Sequence, residues 1–180
     1  MGAEEFLKDL FNDRNVTESF GPLRGMSECS GVKFTHMTCD VLNMAYFDKF
    51  RELGLVTENG DIRQNYEERL DGIILSDRIR QALLWEETED FEAWDELHKD
   101  AYQKEFIFKL FMHIQIGGAV NQFDNNIAPY LDVVKRLYKD LVCVAKDPES
   151  QQIKCHSHVL RIDKIEGCSS LYGNKYDQHP

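Results

Sequence analysis

Apolar residues recur every three or four positions in several parts of the chain, and this spacing predicts amphipathic helices. The stretches that show it are residues 3–12, 41–55, 76–85, 101–116 and 127–141. The stretch over 101–116 is apolar around most of its circumference, so we expect it to form the buried centre of the domain. Its polar residues Glu105, Lys109 and His113 fall on one stripe, and we expect His113 to face solvent.

Residues typical of caps and turns mark several of the helix ends. Gly54 stands where a helix C-cap would be. Ser76 is expected to cap the helix that follows it, with Asp77 favourably placed near the positive end of the helix dipole. Residues 57–61, with the sequence TENGD, predict a turn.

The sequence IGGAVNQFDNNIAPY, which follows the central helix, could be a phosphate loop, a metal loop or a corner between two helices. Its glycines are adjacent and no lysine follows them, which excludes a Walker loop. It also lacks the alternating acidic positions and final Glu of an EF-hand. The simplest interpretation is a corner, with Gly117 and Gly118 as the C-cap, Asn125 or Asn126 as the next N-cap, and Pro129 in the first turn.

Two regions of the chain predict β-structure instead. Val32, Phe34 and His36 alternate with other residues, a pattern that is typical of a strand. Two β-rich runs flank the DPES turn at 147–150, so we expect an antiparallel hairpin there. The fold class that follows is α+β: a mainly helical single domain over 1–180 with a C-terminal antiparallel β-hairpin or small sheet.

Composition and charge narrow the classes of function. Of the 180 residues 42% are hydrophobic, so the chain should fold, and its formal net charge of −11 argues against a nucleic-acid binder. No segment reaches the roughly 20 apolar residues needed to span a membrane. The first residues show no signal-peptide pattern, so we expect the cytosol or a compartment continuous with it. The five widely spaced cysteines indicate free, buried thiols.

A strongly acidic run occupies residues 86–96, where seven of eleven residues are acidic. Phe91 and Trp94 lie three positions apart inside it and could share one helical face. One interpretation is a solvated helix that two aromatic residues hold in place, and the other is an acidic docking surface for a basic partner. The candidate partner-binding residues here are Glu86, Glu87, Glu89, Asp90, Phe91 and Trp94.

Metal-binding and catalytic chemistry has few candidates. On a strand, His156 and His158 would project from the same face, which suits a metal ion, although such a pair also fits a solvated strand face. The remaining ligands would come from elsewhere, such as His36, Asp40 or His179. No G-x-S-x-G motif occurs, and no cysteine lies in a catalytic signature. From the residues we therefore expect no enzyme, no catalytic residue and no cofactor.

Four stretches of the chain carry a resemblance to a known family: EEFLKDLFNDRNV, MAYFDKFRELGLV, ILSDRIRQALLWEETEDFE and KEFIFKLFMHIQIGGAVNQFDNNIAPYLDVVKRLYKDLVCVAKDP. The last is the most specific, because its Gly-Gly pair, Gln122, Pro129–Tyr130 and the YKDLV segment keep the family's spacing. From about residue 4 to about residue 166 the sequence resembles the cilia- and flagella-associated protein 300 family. We take 1–166 as the family core and 167–180 as a polar tail, for which truncation is one explanation.

The resemblance implies a non-enzymatic adaptor for the cytoplasmic preassembly and intraflagellar transport of axonemal dynein arms. The implied partners are dynein arm assembly factors, axonemal dynein subunits or intraflagellar transport proteins, and the implied locations are the cytoplasm and the axoneme of the cilium or flagellum. A stable structural component of the axoneme is the alternative, and a metal-binding protein or enzyme using His156 and His158 is a weaker one. The corner adds the candidate partner-binding residues Gly117, Gly118, Gln122, Pro129 and Tyr130.

Overall fold

A computed structural model describes residues 32–70, 72–116 and 125–165 of the chain. The helix predicted over 3–12 lies outside these ranges. The strands are β1 (Val32–Met37), β2 (Arg69–Leu70), β3 (Ile73–Ile74), β4 (Val144–Lys146), β5 (Ile153–Cys155) and β6 (Val159–Ile165). The helices are a 3-10 helix (Ala45–Asp48), α1 (Lys49–Glu52), α2 (Arg78–Leu84), α3 (Phe91–Leu97), α4 (Asp100–Gln103), α5 (Phe106–Ile116) and α6 (Ala128–Leu141).

The described residues belong to two compact units. One unit holds residues 32–36 and 160–165, where β1 pairs with β6. In it the Thr35 hydroxyl donates a hydrogen bond to the Asp163 carboxylate at 2.7 Å. The other unit holds residues 37–159, with the helices and two small sheets, β2–β3 and β4–β5.

The hairpin predicted near the C-terminus is confirmed. Strands β4 and β5 pair antiparallel, with Val144 opposite Cys155 and Lys146 opposite Ile153. The Asp147 carboxylate closes the turn by accepting backbone N–H bonds within the DPES segment. Together with the helices, this hairpin makes the fold the mixed α+β type that the sequence predicts.

Helix α5 is the centre of the core, as its apolar pattern predicts. Phe108, Phe111 and Met112 on this helix are almost fully buried. The Phe111 ring packs 5.2 Å from the ring of Phe47 and 5.0 Å from that of Phe50, measured between centroids. Burying one such side chain stabilises a fold by about 1.5–3 kcal/mol. Helix α5 packs mainly against α6, and no helix in the described ranges is long and apolar enough to cross a membrane.

The prediction of one continuous helix over 101–116 is wrong, because α4 and α5 are separate helices. The backbone of Thr38, just past β1, binds at the break between them. Its N–H donates to the carbonyl of Lys104 at 2.7 Å, and its carbonyl accepts from the N–H of Phe106 at 3.0 Å. These bonds use backbone groups that a continuous helix would pair internally, so the helix stops and restarts.

The two polar residues of the predicted stripe that lie on α5, Lys109 and His113, differ in their exposure to solvent. His113 is exposed, as predicted. Lys109 is only 7% exposed. Its amino group donates to the side-chain oxygen of Gln103 and lies 3.6 Å from the sulfur of Met112. A buried amine needs such partners, because a charged group that is left unpaired away from water is strongly destabilising.

Two other predicted helix boundaries change in the structure. The helix expected over 41–55 is reduced to the 3-10 helix and α1, although Gly54 takes the left-handed backbone expected after a helix end, with φ +68°. The cap of α2 is Asp77 and not Ser76. A carboxylate oxygen of Asp77 accepts the N–H of Arg80 at 3.0 Å, so the acidic side chain itself satisfies the helix end.

The start of α6 agrees with the predicted corner in the position of Pro129 but not in the capping residue. The side-chain oxygen of Asn126 accepts the N–H of Ala128 at 3.0 Å, and Pro129 lies in the first turn, as predicted. The Asn126 amide also donates to the carbonyl of Asn59 at 3.1 Å and to the carboxylate of Asp61 at 3.0 Å. The N-cap of α6 is Ile127, which has no side-chain cap, so the prediction of Asn125 or Asn126 as the cap is wrong. Asn126 instead ties the start of the helix to the TENGD turn.

Candidate protein-interaction site

The acidic run begins in the link between α2 and α3 and continues along α3. Ile79, Ala82 and Leu83 bury one side of α2, and Ala93 and Leu97 are the buried residues of α3. The two helices pack against each other through these sides. Helix α3 is therefore held by a small and an aliphatic residue, and not by its two aromatic residues as the solvated-helix interpretation assumed.

The link between the helices is fixed by hydrogen bonds to its backbone. Thr88 is only 4% exposed, and its hydroxyl accepts the N–H of Asp90 at 3.2 Å. The N–H of Glu89 donates to the carboxylate of Glu68, which is itself buried. These bonds fix the backbone of the link at Glu89 and Asp90.

Asp90 is bound inside the protein by an ion pair with Arg78. The guanidinium donates to both carboxylate oxygens, with 2.5 Å between Nε and Oδ2. The Asp90 side chain is 10% exposed and that of Arg78 is 30% exposed. Hydrogen bonding to Asp90 raises the pKa of the Arg78 guanidinium above its ordinary value. Much of the Asp90 charge is thus matched within the fold, which leaves less of it for a partner.

The other acidic residues of the link face solvent. Glu86, Glu87 and Glu89 are exposed, and Glu92 is exposed on the first turn of α3. Glu89 also accepts a hydrogen bond from the Asn65 amide at 3.1 Å. We use the name α3 surface for a set of exposed or half-buried acidic and aromatic side chains from the link and from α3. Its members are Glu86, Glu87, Glu89, Phe91, Glu92 and Trp94.

The aromatic residues of the α3 surface stack on one another. The rings of Phe91 and Trp94 are 5.9 Å apart and 18° from parallel, which confirms that they share a helical face. The ring of His98 continues the row, 4.4 Å from that of Trp94. Phe91 is 53% exposed, a large apolar area for a surface side chain. His98 is not among the residues predicted from the sequence, although its spacing of four residues from Trp94 is the signal that could have identified it.

An acidic groove of about 180 Å³ adjoins the α3 surface. Its lining residues are Glu52, Leu53, Glu89, Asp90, Glu92 and Ala93. Glu52 comes from α1, and no pattern in the sequence indicates that α1 lies beside α3. Two of the groove's four carboxyl groups are paired within the fold, Asp90 with Arg78 and Glu52 with Lys49. Glu89 and Glu92 remain as the acids that favour a positively charged occupant, such as a Lys or Arg side chain.

A second cavity, of about 270 Å³, lies in the larger unit. Its lining residues are Thr38, Asp40, Val41, Asn43, Tyr46, Glu105, Ile107 and Tyr138. Burial raises the pKa of the Glu105 carboxyl, which also hydrogen-bonds Tyr46. These residues come from separate segments of the chain, so no local pattern predicts the cavity. Its polar lining suits water or a hydrogen-bonding group.

The structure does not give the two histidines the geometry expected for a strand. Strand β5 ends at Cys155 and β6 begins at Val159, so His156 and His158 lie in the link between them. Both are exposed. The prediction that they project from one strand face is therefore wrong. In the described ranges, no three His, Cys, Asp or Glu side chains form a group that could hold a metal ion.

The candidate residues of the corner are only partly described. Gly117, Gly118 and Gln122 lie outside the described residues. Pro129 is exposed at the start of α6. Tyr130 is 3% exposed and belongs to the core, so its ring packs inside the protein in this conformation.

The fold and the site define a small acidic α+β protein with an exposed aromatic and carboxylate-rich helix face. Over residues 1–180 the sequence matches the model of the family described as Cilia- and flagella-associated protein 300, and the chain belongs to that family. It is therefore one of the cilium- and flagellum-associated proteins, as the resemblance implied.

Two named relatives support this membership. The chain is 36% identical over 189 residues to the Cilia- and flagella-associated protein 300 of Chlamydomonas reinhardtii, an alignment that covers 98% of the chain and 72% of the relative. It is 33% identical over 172 residues to the protein of the same name from Paramecium tetraurelia, with 94% of the chain and 66% of the relative covered. No solved structure matches the chain.

Proposed function

We propose that this protein is a non-enzymatic adaptor that acts in the cytoplasmic preassembly of axonemal dynein arms and in their intraflagellar transport. Its partners in this proposal are dynein arm assembly factors, axonemal dynein subunits or intraflagellar transport proteins. It works in the cytoplasm and in the cilium, and it binds a basic segment of a partner through the α3 surface. Family membership supports the ciliary setting of the proposal.

The observation that carries the proposal is the stacking of the exposed Phe91 on the half-buried Trp94, on a helix that follows solvent-facing carboxylates. Aromatic side chains of this kind dominate the binding energy of many protein interfaces. Because the two rings already stack, they have less rotamer freedom to lose when a partner covers them. The surrounding acids select a basic partner by charge and speed its encounter.

A quantitative pull-down tests the α3 surface. The bait is the full chain, and the extract is cytoplasm from cells that are regrowing cilia. The test variant carries Glu86→Lys and Glu87→Lys, and the control carries Glu58→Lys and Asp140→Lys. All four positions are exposed, and both variants change the net charge equally. We expect the test variant to lose dynein subunits, assembly factors or transport proteins, while the control retains them.

A second pair of variants tests the aromatic part of the same surface. Phe91→Ala removes the exposed ring, and Tyr66→Ala removes another exposed aromatic ring that lies outside the α3 surface. A binding hot spot costs about 2 kcal/mol or more when truncated, which corresponds to roughly a 30-fold weaker affinity. We expect that loss for Phe91→Ala and unchanged binding for Tyr66→Ala. Equal binding by both variants would contradict the aromatic contact.

Extraction of axonemes with high salt separates the adaptor from a stable structural component. An adaptor should occur mainly in the cytoplasm and the soluble ciliary matrix, and salt should release what remains on the axoneme. A structural component should stay bound to the axoneme and capture tubulin and axonemal proteins in the pull-down. That outcome would overturn the proposed transport role.

A further inference from the structure

Two half-buried cysteines that are distant in sequence meet in the larger unit. The sulfur atoms of Cys39 and Cys155 lie 3.6 Å apart, and 116 positions separate the two residues along the chain. Both are free thiols. Cys39 follows β1, and Cys155 is the last residue of β5. A bond between them would tie the β4–β5 hairpin to the segment that follows β1.

We propose that Cys39 and Cys155 form a reversible disulfide, an oxidative modification site that fastens the hairpin to the rest of the larger unit. The sulfur atoms are already in contact. They need to approach by only about 1.5 Å, shared between two side chains, to reach the bond length of a disulfide. The third described cysteine, Cys143, is exposed, and no contact between its sulfur and either of the other two described cysteines is found.

The hydrogen bonds of the neighbouring Tyr138 do not depend on the thiol protons that are lost when the disulfide forms. The Tyr138 hydroxyl lies 3.6 Å from the Cys39 sulfur. It also donates to the carbonyl of Asp40 at 2.7 Å and accepts the N–H of Asp40 at 3.1 Å. Tyr138 therefore keeps two hydrogen bonds after oxidation, and no buried polar group loses its last partner.

Glutathione disulfide is an oxidant that balances the reaction. The Cys155 thiolate attacks one of its sulfurs, a mixed disulfide forms, and one glutathione thiolate leaves. The Cys39 thiolate then attacks the Cys155 sulfur, the protein disulfide forms, and the second glutathione leaves. Two thiols of the protein are oxidised and one glutathione disulfide is reduced to two glutathione molecules. Burial raises the pKa of the Cys39 thiol, which lowers the fraction of thiolate available for the second step.

The test uses the full chain with Cys29→Ser, Cys143→Ser and Cys168→Ser, which leaves only the proposed pair. The protein is equilibrated in buffers of reduced glutathione and glutathione disulfide, free thiols are alkylated, and linked peptides are measured by mass spectrometry. The same equilibration is made in concentrated urea. We expect the equilibrium constant for the Cys39–Cys155 bond to be at least about tenfold larger in the folded protein than in urea.

Stability gives a second readout of the same bond. The oxidised chain should unfold at a higher urea concentration than the reduced chain, and Cys155→Ala should abolish the difference while Cys143→Ala in the natural sequence keeps it. Circular dichroism confirms that each variant is folded. An equilibrium constant no larger in the folded protein than in urea would overturn the proposal, and so would a product linked mainly between two chains.

Discussion

Replacing Asp90 by Asn should destabilise the protein although Asp90 belongs to an acidic run that otherwise faces solvent. The change removes the negative charge that pairs with Arg78, whose side chain is only 30% exposed. Exposed ion pairs contribute about 0–1 kcal/mol, whereas breaking a buried pair costs about 3–5 kcal/mol. With side-chain exposures of 10% and 30%, this pair lies between the two classes. We expect a loss of about 1–3 kcal/mol.

The assay is urea unfolding followed by circular dichroism, with Glu87→Gln as the matched control. Glu87 is exposed, and a surface substitution of this kind changes stability by about 0.5 kcal/mol or less. A double-mutant cycle with Arg78→Met isolates the pairing from other effects of each change. We expect a coupling energy of about 1 kcal/mol or more between positions 78 and 90.

The reasoning fails if Asp90→Asn is as stable as Glu87→Gln, or if the cycle gives no coupling. Asp90 would then be another solvent-facing acid, available to a partner on the same terms as Glu86 and Glu87. The distinction between Asp90, which stabilises the fold, and Glu86 and Glu87, which contact a partner, would then be wrong.

Three further predictions concern the core, a turn and a buried carboxyl. Phe111→Ala should cost about 3–5 kcal/mol in urea unfolding, because the ring is fully buried against two other aromatic rings. Gly60→Ala should cost more than Gly72→Ala. Both have positive φ, but a Cβ at Gly60 would lie 3.3 Å from the Asn126 side chain, whereas nothing lies within 4 Å at Gly72. Burial raises the pKa of Asp77 above its ordinary 3.8, so the folded chain binds this proton more strongly than the unfolded chain. Its contribution to the free energy of unfolding therefore decreases as pH rises through the window above 3.8, and Asp77→Asn should remove that slope from a pH series of unfolding curves.

The sequence predicts well those elements that short-range patterns determine. The all-round apolar character of α5 identifies it as the core helix, and the DPES turn identifies the hairpin. Gly54 at a helix end and Pro129 in a first helical turn are predicted correctly, because each residue type suits the backbone conformation of that position. The shared face of Phe91 and Trp94 follows from helical spacing within one short segment. Each of these features depends on residues that are close together in the chain.

The features that the sequence does not predict depend on distant partners. The break before α5 arises because Thr38 binds the backbone on both sides of it. Asp90 resembles its acidic neighbours in sequence, and only the position of Arg78 gives it a different role. The contact of Cys39 with Cys155 joins residues 116 positions apart. The two thiols are half-buried, whereas the sequence predicts buried ones. No local periodicity carries such information.

The dynein content of axonemes tests the central proposal most directly. Cells that lack the natural protein would express the wild-type chain, the Glu86→Lys, Glu87→Lys variant, or the Glu58→Lys, Asp140→Lys control at equal levels. Dynein heavy chains in isolated axonemes would then be quantified by mass spectrometry. The adaptor account predicts a loss of dynein in the first variant and wild-type content in the control. Wild-type content in both would contradict the account, because the α3 surface would then be dispensable for delivering dynein arms.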